Sequence, residues 1–166
     1  SDIEGDALAF SIVSPPQHGS LASLTSTGPA SASFFYSPED NFHGDDFFTF
    51  KVNDGFLDSI PATVSITVGP VNDPPSAAGE SVATDEDAPV TITLTGTDVE
   101  GDALAFSIVV APQNGSVGPL TSTDATSASV LYSPQDNFHG DDLFTFVVND
   151  GSSGSDPATV NVTVTP

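Results

Sequence analysis

The side chains of this sequence best suited to chemistry are carboxylates, and they come in short runs. Asp98, Glu100 and Asp102 stand in Asp-Val-Glu-Gly-Asp. Asp85-Glu86-Asp87 is a second run, Asp141-Asp142 a third, and Asp150 follows Asn149 before a glycine. Asn72-Asp73 adds another pair just ahead of Pro74-Pro75. Several carboxylates and amide oxygens held within a few ångström repel one another unless a cation lies between them. All-oxygen donor sets without Cys suit Ca²⁺, which accepts about six to eight oxygens in flexible geometry. The Asp-x-Glu-Gly-Asp spacing is not that of an EF-hand loop, which needs a longer ligand series. The competing reading is an acidic solvated surface. For Asp150 an Asp-Gly hairpin turn is explanation enough without an ion. His43 and His139 share the context Asn-Phe-His-Gly-Asp-Asp. No Ser or Cys nucleophile is tied to either by a recognisable motif, so a turn role is expected and catalysis is not.

Charge excludes whole classes of partner. There are 23 acidic residues against one basic residue, a formal net charge of -22. A phosphate-backbone binder needs Lys and Arg, so nucleic acid is not an expected partner. Docking on anionic lipid needs basic patches, and the apolar runs are far too short for membrane insertion. Cys is absent, which removes disulfides and thiolate chemistry. The polar opening Ser1-Asp2 reads as mature or excised material rather than a signal peptide. A hydrophobic content of 37%, with 12 Phe, is enough for a folded core.

The elements that must position the acids emerge from an internal repeat. SDIEGDALAFSIV at 1–13 matches TDVEGDALAFSIV at 97–109, an offset of 96 residues (97 minus 1). At that offset 1–70 aligns with 97–166 without a gap, and roughly two-thirds of the pairs are identical. Residues 71–166 are therefore one full unit, with 71–75 as its linker. Residues 1–70 are a second unit lacking its first 26 positions (96 minus 70). The full unit reads as strands only. Apolar and polar residues alternate at 90–95, 104–108, 144–148 and 160–164, with weaker candidates at 81–84, 116–120 and 127–132. Turn signals such as Asn114-Gly115, His139-Gly140 and Asn149-Asp150-Gly151 separate them.

Seven short strands per unit, lettered A to G, predict an all-β chain of tandem Greek-key Ig-like β-sandwiches, the first lacking strands A and B. The A–B run is then Asp85–Asp87, the B–C run Asp98–Asp102, and Asp141-Asp142 falls just before F. The first unit repeats these acids as Asp2, Glu4 and Asp6, as Asp45-Asp46, and as Asp54. Successive loops fall at opposite ends of a sandwich. The B–C and F–G loops therefore share one end with the incoming linker, and the A–B and E–F loops share the other. A unit without A and B leaves strand edges open, to be filled by neighbouring sequence or by strand donation in trans from an identical chain.

The ordered set of motifs resembles bacterial cadherin-like tandem repeats of large secreted and surface proteins. It comprises Val71-Asn72-Asp73-Pro74-Pro75, the acids on either side of strand B, Tyr132-Ser133-Pro134, Asn137-Phe138-His139-Gly140-Asp141-Asp142, and Val148-Asn149-Asp150-Gly151. The resemblance spans the whole chain. It implies a non-enzymatic, calcium-stiffened adhesive or structural module, extracellular or on a bacterial cell surface, as in adhesins and biofilm proteins. It also implies Asn72 and Asp73 as linker ligands, Asp98, Glu100 and Asp102 from the following unit, Asp45 and Asp46 from the preceding one, and Asp150 from an F–G loop. Asp141, Asp142 and Glu86 are candidates at the far end. The second class of function is a carbohydrate-binding module accompanying a polysaccharide-degrading enzyme, with cell-surface glycans as partners. The absence of Trp and the inward phase of Phe106, Phe144 and Phe146 weigh against it.

Overall fold

A computed structural model describes residues 7–166, and all its regular elements are strands. Asp2, Glu4 and Asp6 lie outside the described residues. The chain divides into two units, Ser1–Val71 and Asn72–Pro166.

The second unit is a two-layer sandwich. Its strands are β8 (Ser76–Ala78), β9 (Glu80–Asp85), β10 (Val90–Thr97), β11 (Ala105–Val110), β12 (Gly115–Val117), β13 (Thr121–Ser122), β14 (Ser127–Pro134), β15 (Gly140–Asn149) and β16 (Ala158–Thr165). One sheet runs β12-β14-β10-β8, with β13 also on β14; the other runs β11-β15-β16-β9. Polar and apolar residues alternate so that Ile92, Leu94, Val130, Tyr132, Phe144, Phe146, Val148, Val160, Val162 and Val164 meet between the layers, each 0–2% exposed. Fully burying each such side chain contributes about 1.5–3 kcal/mol. The first strand region serves both sheets. β8 pairs with β10, the chain crosses at Gly79, and β9 then runs parallel to β16 from Glu80 opposite Val160 to Asp85 opposite Thr165. At Gly79 a Cβ would lie 3.0 Å from the Thr159 carbonyl oxygen, so the crossing is tight and a larger residue would have to push that strand back by a few tenths of an ångström.

The first unit has β1 (Ala9–Ser14), β2 (Gly19–Leu21), β3 (Thr25–Gly28), β4 (Ser31–Ser33), β5 (Tyr36–Pro38), β6 (Gly44–Asn53) and β7 (Ala62–Val68). They form a three-stranded sheet β1-β6-β7 and two two-stranded pieces, β2-β5 and β3-β4. Strands A and B have no counterpart among its described residues. The region equivalent to β14 is broken into β4 and β5. In the second unit β14 is held straight by six paired residues of β10, Val90–Thr95; without that partner, 34–35 falls outside both short strands.

Three expectations are refined. In place of the 116–120 candidate stand two short strands, 115–117 and 121–122, separated by Gly118-Pro119-Leu120; proline cannot donate to a ladder. Directly after the linker comes a short strand that the alternation does not predict, β8. The doublets Asp45-Asp46 and Asp141-Asp142 do not precede strand F; they are its second and third residues.

Candidate cation site at the linker pole

Strand alternation splits the F-strand doublets. Asp141 points outward and accepts a hydrogen bond from the Thr163 hydroxyl of its cross-strand partner at 3.2 Å. Asp45 does the same with Thr67 at 2.8 Å. Asp142 shares the parity of Phe144, Phe146 and Val148 and points into the core, 7% exposed. Its Oδ1 accepts from the backbone N–H groups of Gln113 and Leu143, both at 2.9 Å. Its Oδ2 accepts from Asn114 N–H and from the buried Tyr132 hydroxyl, also at 2.9 Å. Asp46 repeats this bond for bond with Gln17, Phe47, His18 and Tyr36.

A carboxylate offers about four acceptor positions, and here all four are filled by protein donors. Asp46 and Asp142, both expected as cation ligands, are thus each engaged as a structural latch holding the C–D turn and strand E against strand F. Burial pushes the Tyr132 hydroxyl well above the ordinary tyrosine range, and the Asp142 carboxylate adds to the shift. For Asp46 burial is the largest single influence and acts upward. The Gln17, His18 and Phe47 N–H groups and the Tyr36 hydroxyl together outweigh it, so its carboxyl lies below the ordinary value. The signal for this latch is in the sequence, because a Tyr and an Asp ten residues apart occur in both units, with the Asp in phase with the core.

The acids at the far end of the second unit also have local partners. Asp87, at a positive φ of 61°, accepts from Asn137 N–H at 2.9 Å, and Asp85 accepts from the Thr165 hydroxyl at 2.7 Å. Glu86 lies 4.0 Å from His139, which is exposed in the E–F turn. These contacts bring the A–B and E–F loops together.

The opposite end gathers the remaining candidates. Asn72 donates from its amide to Asp150 Oδ2 at 2.9 Å and to the Asp73 carbonyl at 3.0 Å. Asp73 N–H donates to Glu100 Oε2 at 3.3 Å. Within the B–C loop, Asp102 N–H donates to Asp98 Oδ1 at 2.9 Å, and Gly101 at φ 80° makes the turn that allows it. The linker, B–C loop and F–G loop thus meet at one pole through Asn72, Asp73, Glu100 and Asp150. Asp150 is held below the ordinary carboxyl range, first by Ser153 N–H and then by the Asn72 amide. Asp54, its equivalent in the first unit, is lowered by the N–H groups of Leu57 and Phe56.

One atom at this pole is anomalous: Asp98 Oδ2 is buried and has no hydrogen-bond partner. Leaving a buried polar group without a donor costs about 1–3 kcal/mol, more when it is charged. Among the described residues no three His, Asp or Glu side chains close to metal-ligand distance. The fit to a cation is thus one of donor chemistry, with carboxylate and amide side chains on the linker and both loops and one carboxylate oxygen unserved, and not of a closed cage.

A surface cleft of about 470 Å³ elsewhere on this unit is lined by Val110, Gln113, Asn114, Asp141, Leu143 and Asn161. It has no aromatic face on which a sugar would stack, and Phe144 and Phe146 are buried in the core. Among the described residues no helix is long and apolar enough to cross a membrane.

A family model described as "Bacterial Ig domain" matches residues 1–67 and 72–163. The integrin beta-like protein A of Dictyostelium discoideum is 34% identical over 129 residues, 66% of this chain and 7% of that protein. Domains EC1-2 of human mucin-like protocadherin superpose with a TM-score of 0.56 at 15% identity, covering 96% of this chain and 85% of that one, a likeness of fold alone. An endo-fucoidan hydrolase of glycoside hydrolase family 107 gives a TM-score of 0.47 at 26% identity over 98% of this chain and 24% of its own. The chain therefore spans under a tenth of the curated relative and about a quarter of the hydrolase.

Proposed function

The chain belongs to the bacterial Ig-domain family, and we propose that within it these repeats act as a calcium-stiffened structural or adhesive module of a large extracellular or cell-surface protein. Domains of this Ig-like and cadherin-like type are typically extracellular and non-catalytic. The observation that carries the calcium reading is Asp98 Oδ2, a buried carboxylate oxygen without a hydrogen-bond donor, in the B–C loop whose Glu100 meets the linker. Asn72, Asp73, Asp98, Glu100, Asp102 and Asp150 would hold the ion. Bound there, Ca²⁺ would neutralise mutual repulsion and tie the linker to both loops. The chain's own part is to present the oxygens: Gly101 turns the B–C loop, and Pro74-Pro75, with Pro75 buried, restricts the linker.

The test is calorimetric titration of Ca²⁺ into the whole chain, paired with thermal unfolding in calcium and in chelator. Extracellular modules bind at about 10⁻⁴ M, and calcium a hundredfold above that would stabilise the folded form by about 2.7 kcal/mol per site. Asp98→Asn with Glu100→Gln should remove the response. No heat of binding and identical melting in both buffers would leave these acids as ordinary solvated surface.

A further inference from the structure

The cleft on the outside of the second unit has a chemistry that the linker pole does not share. Its volume is about 470 Å³, toward the small end of the roughly 300–1,000 Å³ of ligand clefts. One part is apolar: Val110 of β11 and Leu143 of β15 line it and are 50% and 47% exposed. The other part is polar, with Asp141, Gln113, Asn114 and Asn161. The core fixes the polar rim. Asp142 accepts the main-chain N–H groups of Gln113 and Asn114, which pins the C–D turn and leaves both side-chain amides to the cleft. Asn161 lies opposite Leu143 in the ladder. Asp141 Oδ1 takes the Thr163 hydroxyl, and its Oδ2 has no protein donor among the described residues.

We propose that this cleft receives the side chain of a lysine presented by another protein. Charge sets the sign of the ligand. The chain's one basic residue, Lys51, lies in the first unit, so the second holds no Lys or Arg, and its field attracts cations and repels anions. The apolar part sets the stem. A lysine lays its methylenes along apolar surface and keeps its ammonium, a compact triple donor, at oxygen acceptors. Val110 and Leu143 offer that surface, and Asp141 Oδ2 with the amide oxygens offers the acceptors. One available carboxylate oxygen is too few for calcium, which takes about six to eight oxygens. A single carboxylate beside an apolar wall also favours one ammonium over a polyamine, whose further charges would fall on Val110 and Leu143. A second copy of the chain does not supply the lysine, because Lys51 is held by Asp58. The first unit is an internal control. It keeps Gln17 and Asp45 but has Ser14, His18 and Ser65 where the second has Val110, Asn114 and Asn161, and His18 stacks on Phe42 at 4.5 Å.

The probe is Nα-acetyl-lysine N-methylamide, titrated into the whole chain and followed by backbone amide chemical shifts. Shifts should saturate at 110–114, 141–143 and 161, and stay small at 14–18, 45–47 and 65. The norleucine analogue, with the same four-carbon stem and no ammonium, should give none. Asp141→Asn and, separately, Leu143→Ser should each weaken binding about tenfold, or about 1.4 kcal/mol. Both side chains are exposed enough for the fold to be kept, which unchanged melting verifies. Asp45→Asn should leave binding unchanged. The proposal is overturned if no shift saturates, or if the shifts follow every carboxylate and survive Asp141→Asn. It is also overturned if spermidine fills the cleft more tightly than the lysine probe, which would make a free polyamine the ligand. Displacement of the probe by Ca²⁺ or by glucose would overturn it too, in favour of a metal or a neutral sugar.

Discussion

The two units carry nearly the same residues in two states of completion. Phe146 and Phe50, Tyr132 and Tyr36, Val160 and Val64 share sequence context, strand and phase, and differ in what covers them. What survives without strands A and B is instructive. The F–G hairpin keeps its register: Gly44 to Phe50 pair with Val68 to Ala62 as Gly140 to Phe146 pair with Val164 to Ala158. The C–F ladder keeps even its irregularity, at Ile12/Ser14 and Ile108/Val110. The Asp–Tyr latch is intact in both. What fails is strand E, which breaks in two. Hairpins and latches are thus specified locally, whereas the straightness of strand E is imposed by strand B.

The contrast can be broken most severely at the shared core. Phe146→Ala should destabilise the second unit by about 3–5 kcal/mol, as for other buried Phe truncations. Phe50→Ala, at a half-exposed position, should cost the first unit clearly less, with separate denaturant transitions as the readout. Equal costs would mean the first unit is closed in solution.

Next is the latch. Asp142→Asn removes a charged acceptor facing four donors and should cost about 3 kcal/mol. Asp46→Asn should shift the first unit's transition in the same direction. Asp46 also gives a pH signature. Its carboxyl is depressed in the folded state, so its stabilisation is complete above the ordinary value of 3.8 and is lost as pH falls below that through the folded value. Denaturation midpoints of the first unit should fall in that window, and Asp46→Asn should flatten the fall.

Tyr132→Phe sharpens the comparison further. It deletes one donor to Asp142 while keeping the ring, and should cost about 1 kcal/mol. Tyr36→Phe should cost less, since its hydroxyl is not shut away from water. The smallest effect is expected at Asp141→Asn, within about 0.5 kcal/mol, because its contact with Thr163 is exposed. A large loss there would reveal a role that the hydrogen bond does not explain.

Much of this was legible in the sequence, for physical reasons that also mark where legibility ended. The alternations at 90–95 and 160–164 belong to strands with one face inward, so period alone located β10 and β16. The 76–78 strand was not legible: Ser76-Ala77-Ala78 has no strong alternation and is held by pairing with Ser76–Ala78's partners Thr95–Thr97. The linker-pole grouping of Asn72, Asp73, Glu100 and Asp150 followed from strand count, since loops of equal parity share an end. For Asp142 acid type points to a cation and strand phase points to the core, and only the phase predicts its latch bonds. The same parity that placed Phe144 inward placed its neighbour two residues earlier inward as well.

The parallel pairing of β9 with β16 has a mechanical consequence. The second unit is entered through β8, which continues across Gly79 into β9, and its last strand, β16, runs in the same direction as β9. Tension applied to its two ends would slide the strands past each other along their length. Six residue pairs, from Glu80–Val160 to Asp85–Thr165, would then share the load together instead of parting one at a time like a zipper. Resistance to such pulling is set by the unfolding rate, so a module of this topology is suited to bearing force.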